Sequence, residues 1–359
     1  MLRLLAKIPY YKSLKMFGVP RALPFSYTVS VTYKCNSRCK TCNVWERKAE
    51  EFTAEEFDRT FASLKHSPYW VTFSGGEPFL RKDAVDIIKS FYSRCAPAVI
   101  NIPTNGILSH NIPGNVEELL SFCGKSNIVV NLSLDDLGNR HDEIRRVPGN
   151  YEKAMETYRA LRKLKAKNFT LGIHTVISKF NIGRFREIYE GLAELAPDSY
   201  ITEIAEQRGE LLTKDSDITP ETSEYVRVLE FLSEEIRKRK FSNTGRLTRA
   251  VRLEYYDVLK RSLLGNRAIL PCYAGITTAH IAPDGNVWFC CVKAEPAGNL
   301  RDNGYDFRRV WFNEKAIAMR KEIDSTACFC PLANMAYTNI LMDTGSSFRV
   351  LLRFLGFRR

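Results

Sequence analysis

The stretch YTVSVTYKCNSRCKTCNVW, Tyr27 to Trp45, joins two unlike halves. Tyr27–Tyr33 is rich in β-branched and aromatic residues and reads as a strand. The remainder places Cys35, Cys39 and Cys42 in the spacing C-x3-C-x2-C. A strand that runs into a loop of reactive side chains is what a parallel sheet predicts, because sites gather at the C-terminal ends of its strands. Trp70–Phe73, Val99–Ile102, Ile128–Leu134, Phe169–Ile177 and Tyr200–Ile204 repeat the strand pattern, with helical segments between them. Thr53 with Glu56 three residues on marks a capped helix start, and Phe52 and Phe57 suit a hydrophobic staple around it. Lys153–Lys165 reads as another helix. Six strands alternating with helices predict an α/β fold, a partial (βα)6 TIM-type barrel, since a full barrel needs eight units.

The chain has 359 residues, 45% of them apolar, which supports a main domain with a smaller appendage. The reading along the chain is a basic amphipathic helix over 1–23, the barrel over 24–214, a helical connector over 215–266, a small α+β domain over 267–337 and a cationic amphipathic tail over 338–359. Pro283–Asn286 reads as a hairpin turn inside the small domain. The net charge of +12 suits either an anionic partner or a solvated surface. No apolar run reaches the roughly 20 residues of a membrane span. The first residues lack a clean apolar core with a cleavage site, so the chain reads as cytoplasmic. In that compartment, clustered thiols point to metal rather than disulfides.

Three thiolates from one loop leave a tetrahedral zinc site one ligand short. They would hold three irons of a [4Fe–4S] cubane and leave the fourth open. C-x3-C-x2-C after a first strand resembles the signature of the radical S-adenosylmethionine (radical SAM) superfamily. Two further motifs fall where that family has them: FSGGEPFL after the second strand and PTNG, Pro103–Gly106, at the end of the third. The segment NLSLDDLGNRHDEIRRVPG resembles the family's fourth-strand region. The resemblance implies a cluster on Cys35, Cys39 and Cys42 that binds S-adenosylmethionine and cleaves it to a 5'-deoxyadenosyl radical. It implies cofactor contacts from Ser74, Gly75, Gly76, Glu77 and Pro78, and from Asn105. Ser133 and Asp135 would lie near the ribose, and Arg145 would meet the methionine carboxylate. The chain departs from relatives in having Asp135-Asp136 for Asp-Gly, Arg145-Arg146 for Arg-Gly, and Thr41 for an aromatic residue. Trp45 is a candidate for packing the adenine, and equally for core.

Cys272, Cys290, Cys291, Cys328 and Cys330 form a second cluster. This segment resembles the SPASM/twitch appendages of radical SAM enzymes, which hold auxiliary iron–sulfur clusters. Five cysteines suffice for one cluster, and the resemblance implies a second [4Fe–4S] cluster on Cys272, Cys290, Cys328 and Cys330. Adjacent strand residues face opposite ways, so either Cys290 or Cys291 is spare. Cysteine sulfur alone leaves zinc open at this site. Cys95 and Cys123 read as packed thiols.

His174, Glu203, Glu206 and Arg208 end the fifth and sixth strands, where site residues gather; His174 and His141 also suit plain structural roles. The reading is a radical SAM oxidoreductase that functionalises a substrate C–H bond, with the auxiliary cluster assisting electron transfer or substrate binding. The substrate class is peptide, lipid or small metabolite, and the electron donor is external, such as flavodoxin or ferredoxin. A non-catalytic iron–sulfur carrier is the alternative, but a carrier needs no cofactor pocket. No basic stripe interleaved with aromatics supports nucleic-acid binding. Both ends of the chain suit peripheral contact with a membrane, or capping of the barrel.

Overall fold

In a computed structural model that describes residues 7–19, 21–239, 243–325 and 330–357, the strand of the opening stretch is β1, Ser26–Thr32. Val29 and Val31 on it are fully buried. The next five strands are β2 (Trp70–Gly75), β3 (Val99–Thr104), β4 (Asn127–Ser133), β5 (Phe169–Ile177) and β6 (Ser199–Ile204). Each pairs in parallel with its predecessor, so β1 to β6 lie side by side in chain order.

The helices fall between them. The described chain begins with α1 (Ile8–Phe17), and α2 (Ala54–Leu64), α3 (Ala84–Cys95) and α4 (Ile112–Phe122) follow the first three strands. Two helices, α5 (Gly138–Arg145) and α6 (Asn150–Leu161), follow β4, and α7 (Phe185–Ala193) follows β5. Strand order that never reverses, with right-handed crossovers, puts α2 to α7 on one face and curls the sheet. The sheet does not close, so the six βα units form the expected partial barrel.

Helix α2 starts as its sequence predicts. Glu56 N donates to Thr53 Oγ1 at 3.2 Å, and Thr53 N donates to Glu56 Oε2 at 2.9 Å. The rings of Phe52 and Phe57 meet edge-on at 5.4 Å. Phe61 continues this apolar face against Phe91 of α3, at 4.8 Å, and Phe91 meets Phe73 of β2 at 5.4 Å. Such aromatic pairs add about 0.5–1.5 kcal/mol each to their area burial.

Three short strands extend the sheet beyond β1: β7 (Thr278–Ile281), β8 (Asn286–Trp288) and β9 (Pro296–Asn299). β7 pairs in parallel with β1, and β8 pairs antiparallel with both β7 and β9. The turn at Pro283–Asn286 is therefore a hairpin, and its Pro283 O accepts from Phe52 N at 2.6 Å. The remaining helices are α8 (Thr222–Lys238), α9 (Asn243–Gly265), α10 (Phe307–Trp311), α11 (Glu314–Ser325), α12 (Ala333–Met342) and α13 (Thr344–Leu355).

By its internal contacts the chain divides into two units. One holds residues 23–219 and 278–319; the other holds the residues before 23, 220–277 and those from 320 onward. Within the segment 267–337, residues 278–319 thus join the barrel sheet, while 272–277 and 330–337 belong to the helical unit.

Candidate functional site

The three-cysteine loop leaves β1 and is fixed by hydrogen bonds with three other elements. Gly76 N donates to Thr32 O at 2.8 Å and Glu77 N to Lys34 O at 2.9 Å. A Cβ on Gly75 would sit 2.2 Å from Thr32 O, and one on Gly76 2.1 Å from Lys34 O. The paired glycines thus permit approach of the protein's own backbone, in addition to any ligand. On the other flank, Arg38 N donates to Arg145 O at 3.1 Å and Lys40 N to Ile144 O at 2.8 Å. The loop therefore uses carbonyls that the C-terminus of α5 leaves unpaired. Asn105 of PTNG completes the frame, donating from Nδ2 to Asn36 Oδ1 at 2.7 Å and to Ser37 Oγ at 3.1 Å.

So framed, the thiols of Cys35, Cys39 and Cys42 lie within electrostatic reach of one another. Burial pushes Cys35 up to about 11, Cys42 up to about 12, and Cys39 upward as well. Thiolates here need nearby positive charge, and Arg145 supplies some: its guanidinium lies 3.7 Å from Cys39 Sγ. Metal charge would supply the rest. Three thiols on one loop, Cys39 buried and Cys35 and Cys42 half-buried, suit a [4Fe–4S] group that takes three cysteines.

Glu77 is a buried hub. Its carboxylate accepts from Phe79 N at 3.2 Å, Thr104 Oγ1 at 2.8 Å and Asn105 N at 2.8 Å. Burial outweighs these donors and pushes its carboxyl up to about 7. Ser74 pairs with Ser30 one residue before the end of β2, and Pro78 starts the short turn after Glu77. Ser133 ends β4 opposite His174. Asp135 is buried and faces protein groups: Val176 N donates to its Oδ1 at 2.9 Å, and Arg145 Nε lies 2.7 Å from its Oδ2. The Asp135 N–H donates to His141 Nδ1 at 3.1 Å, so His141 has a structural role. Asp136, where relatives carry glycine, pairs with Arg184 at 2.8 Å and accepts from Leu137 N at the start of α5. Thr41 is buried, and Trp45 is half-buried with the Arg38 guanidinium 4.4 Å above its ring.

An arc of ionisable groups, only partly foreseen, runs along the same end of the sheet. His174 Nε2 lies 3.9 Å from Glu203, Arg208 lies 3.7 Å from Glu203 and 3.9 Å from Glu210, and His280 Nδ1 lies 3.7 Å from Glu210. His280 Nε2 shares a 2.8 Å hydrogen bond with Ser30 Oγ. The four separations to Glu203 and Glu210 are longer than direct hydrogen bonds, so the groups meet as ion pairs or through charge alone. Burial pushes the Glu206 carboxyl up to about 7. Glu51, Arg47, Glu210 and His280 were not singled out in the sequence. Glu51 holds Tyr33 N at 2.7 Å, and Arg47 reaches the carbonyls of Gly209 and Glu210. None of these four belongs to a spaced motif; a histidine within the strand-like run TAHI was the one available signal.

Cys290 and Cys291 follow β8. Glu210 N donates to Cys291 O at 3.1 Å and Gly209 N to Val292 O at 2.7 Å. Leu211 O in turn accepts from Asn43 N at 2.9 Å, so one short loop is bonded to both cysteine-bearing segments. Cys272 and Cys330 belong to the helical unit, and Cys328 lies outside the described residues. Cys95 and Cys123 are buried, as packed thiols should be.

Residues 29–192 match the profile of the radical SAM superfamily. The chain carries a radical SAM domain. Residues 272–331 of this radical SAM chain match an iron–sulfur cluster-binding domain, SPASM. The two domains imply a [4Fe–4S] cluster with S-adenosylmethionine in the first and further iron–sulfur in the second. Among curated relatives, the sporulation killing factor maturation protein SkfB of Bacillus subtilis is 28% identical over 48% of this chain and 40% of its own length. The AdoMet-dependent heme synthase of Methanosarcina barkeri is 25% identical over 83% of this chain and 84% of its own. Streptococcus suis SuiB bound to S-adenosylmethionine shares the fold with a TM-score of 0.63 at 16% identity, over 87% of this chain and 71% of that one. The radical SAM chain also shares the fold of anSMEcpe with bound AdoMet, at a TM-score of 0.60 and 15% identity, over 93% and 96% of the two chains.

Proposed function

We propose that this protein is a radical SAM oxidoreductase that functionalises a C–H bond of a substrate bearing an amine or guanidinium group, a basic peptide side chain being the favoured case. The observation that carries the radical chemistry is the framed loop, three neighbouring thiols held by the GGEP strand end, the PTNG strand end and α5. Cys35, Cys39 and Cys42 would hold the cluster, with S-adenosylmethionine at its open iron. When bound, this pair supplies reductive cleavage to a 5'-deoxyadenosyl radical that removes a substrate hydrogen atom.

The chain's own residues position and shield. Gly75 and Gly76 hold the loop against the strand ends, and Ser74, Glu77, Pro78 and Asn105 fix the floor beneath it. Arg145 stands beside Cys39, suited to a carboxylate, and Asp135 orients it. Ser133, at the end of β4, would lie on the ribose side. On the substrate side, Glu203, Glu210 and a Glu206 that burial pushes up to about 7 face Arg208, with Arg47 held on the carbonyls of Gly209 and Glu210, and burial lowers the pKa of His174 and His280. The carboxylates of this arc favour a cationic group. In the small domain, Cys272, Cys290, Cys328 and Cys330 are the proposed ligands of an auxiliary cluster that passes electrons or binds substrate. The external donor would be flavodoxin or ferredoxin.

A peptide substrate has support in the maturation role named for SkfB and in a second structure of SuiB, bound to precursor peptide SuiA. The near full-length match to a heme synthase favours a second reading, a tetrapyrrole. Anaerobic reconstitution with iron and sulfide should yield about eight irons per chain, from two four-iron clusters. Replacing all three of Cys35, Cys39 and Cys42 by Ala should leave about four and abolish 5'-deoxyadenosine release. Release that persisted in this variant would refute the assignment. Titration of the reconstituted protein with lysine-rich peptides and with an iron porphyrin decides the substrate class.

A further inference from the structure

We propose that α1 and α13 together form a surface that inserts into the headgroup layer of an anionic lipid bilayer. Both helices belong to the helical unit. There α1 packs on α12, α13 packs on α9 and α12, and Lys12 Nζ lies 2.6 Å from Thr344 Oγ1.

Helix α13 is oriented the reverse of an ordinary surface helix. Its arginines face the protein: Arg349 Nε is 2.8 Å from Glu254 Oε1, and Arg353 reaches Asp257 and, at 3.5 Å, Glu254, both on α9. Glu254 is itself fully buried. Phe348, Leu351 and Leu355, one helical stripe, face outward with relative exposures of 59%, 49% and 56%. A helix that merely capped the fold would bury that stripe and leave its arginines in water. On α1, Met16 and Phe17 are 71% and 69% exposed.

Charge selects the occupant. Residues 1–45 contain no Asp or Glu, and Arg3, Lys7, Lys12 and Lys15 lie among the first of them. Residues 344–359 contain no acid either; Arg349 and Arg353 are taken up by Glu254 and Asp257, which leaves Arg358 and Arg359 of the sequence together with the lysines of α1. A second copy offering the same face would set cations against cations, which disfavours a symmetric dimer. An anionic bilayer suits both features, with headgroups near the cations and apolar side chains at the acyl boundary. No described helix is long and apolar enough to cross a membrane, so the contact is interfacial.

The test is flotation of the full-length, anaerobically purified protein with vesicles of phosphatidylglycerol and phosphatidylcholine in equal parts, and with phosphatidylcholine alone. The protein should float with the anionic vesicles, less so at high salt, and not with the neutral ones. The triple variant Phe348→Ser, Leu351→Ser, Leu355→Ser should partition about tenfold or more weakly, given the apolar area it removes. The pair Met16→Ser, Phe17→Ser should weaken binding separately, and melting curves should show both variants folded. Three results overturn the proposal: flotation no better with phosphatidylglycerol than without it, a triple variant that floats like the parent, or a dimer by light scattering that the triple variant dissolves while nothing floats. None of the three bears on the radical chemistry, because 5'-deoxyadenosine release is measured without lipid.

Discussion

At the scale of single residues, Glu77 and Arg146 make unlike demands on the chain. Glu77 receives donors from two strand ends at once, so Glu77→Gln turns an NH2 toward N–H or O–H groups that already donate. The orphaned groups should cost about 1–3 kcal/mol, read as a lower melting temperature. Arg146 sits in the left-handed region at φ 54°, ψ 39°, where a side chain is strained. A glycine at this position relieves the strain but adds entropy to the unfolded chain. Arg146→Gly should therefore stabilise by no more than about 1 kcal/mol in a denaturant titration. The departure at Arg146 was visible in the sequence, but its backbone conformation was not. The same holds at Asp135. Its motif was legible, but its salt bridge to Arg145 joins β4 to the end of α5, and no spacing encodes that. At Gly75 and Gly76 the need for close approach was legible, and only the structure shows that Thr32 and Lys34 are what they approach.

At the scale of elements, the six strands were legible because β-branched runs punctuated by turns are a local signal. Their observed bounds differ from the expected ones by a residue or two, as for Tyr27–Tyr33 against Ser26–Thr32. The start of α2 was legible for the same reason, a capping box being four consecutive residues. What was not legible is that Arg301 and Tyr305 join it: Arg301 Nε lies 2.7 Å and the Tyr305 hydroxyl 2.9 Å from Glu56 Oε1. The Arg301 hydrogen bonds, chiefly, hold the Glu56 carboxyl down from 4.5 to about 2. A depressed carboxyl stabilises the fold above its unfolded value and loses that contribution as pH falls. The wild type should thus lose stability between about pH 4.5 and 2 by a component that Glu56→Gln lacks, measured as the difference between their acid unfolding curves. Thr53→Ala should lower stability by about 1 kcal/mol at neutral pH.

At the scale of the whole molecule, β7 covers the edge of the sheet that β1 would otherwise present. Nothing in TAHI says which strand it will join, because edge pairing between strands so far apart in the chain is set by tertiary packing. Ala279 is buried and paired with Tyr27. Ala279→Pro removes a ladder donor there and should cost about 1–3 kcal/mol, seen as a lower melting temperature and less soluble protein. The loop at Gly209–Leu211 has a different consequence. It is hydrogen-bonded to Asn43 on one side and to Cys291 and Val292 on the other. The two cysteine-bearing segments are therefore not interchangeable cassettes. A chimera that exchanges residues 272–331 with those of a relative would inherit a mismatched hinge unless the 209–211 loop travels with them, and recombination breakpoints that survive selection in such chimeras should fall outside that loop.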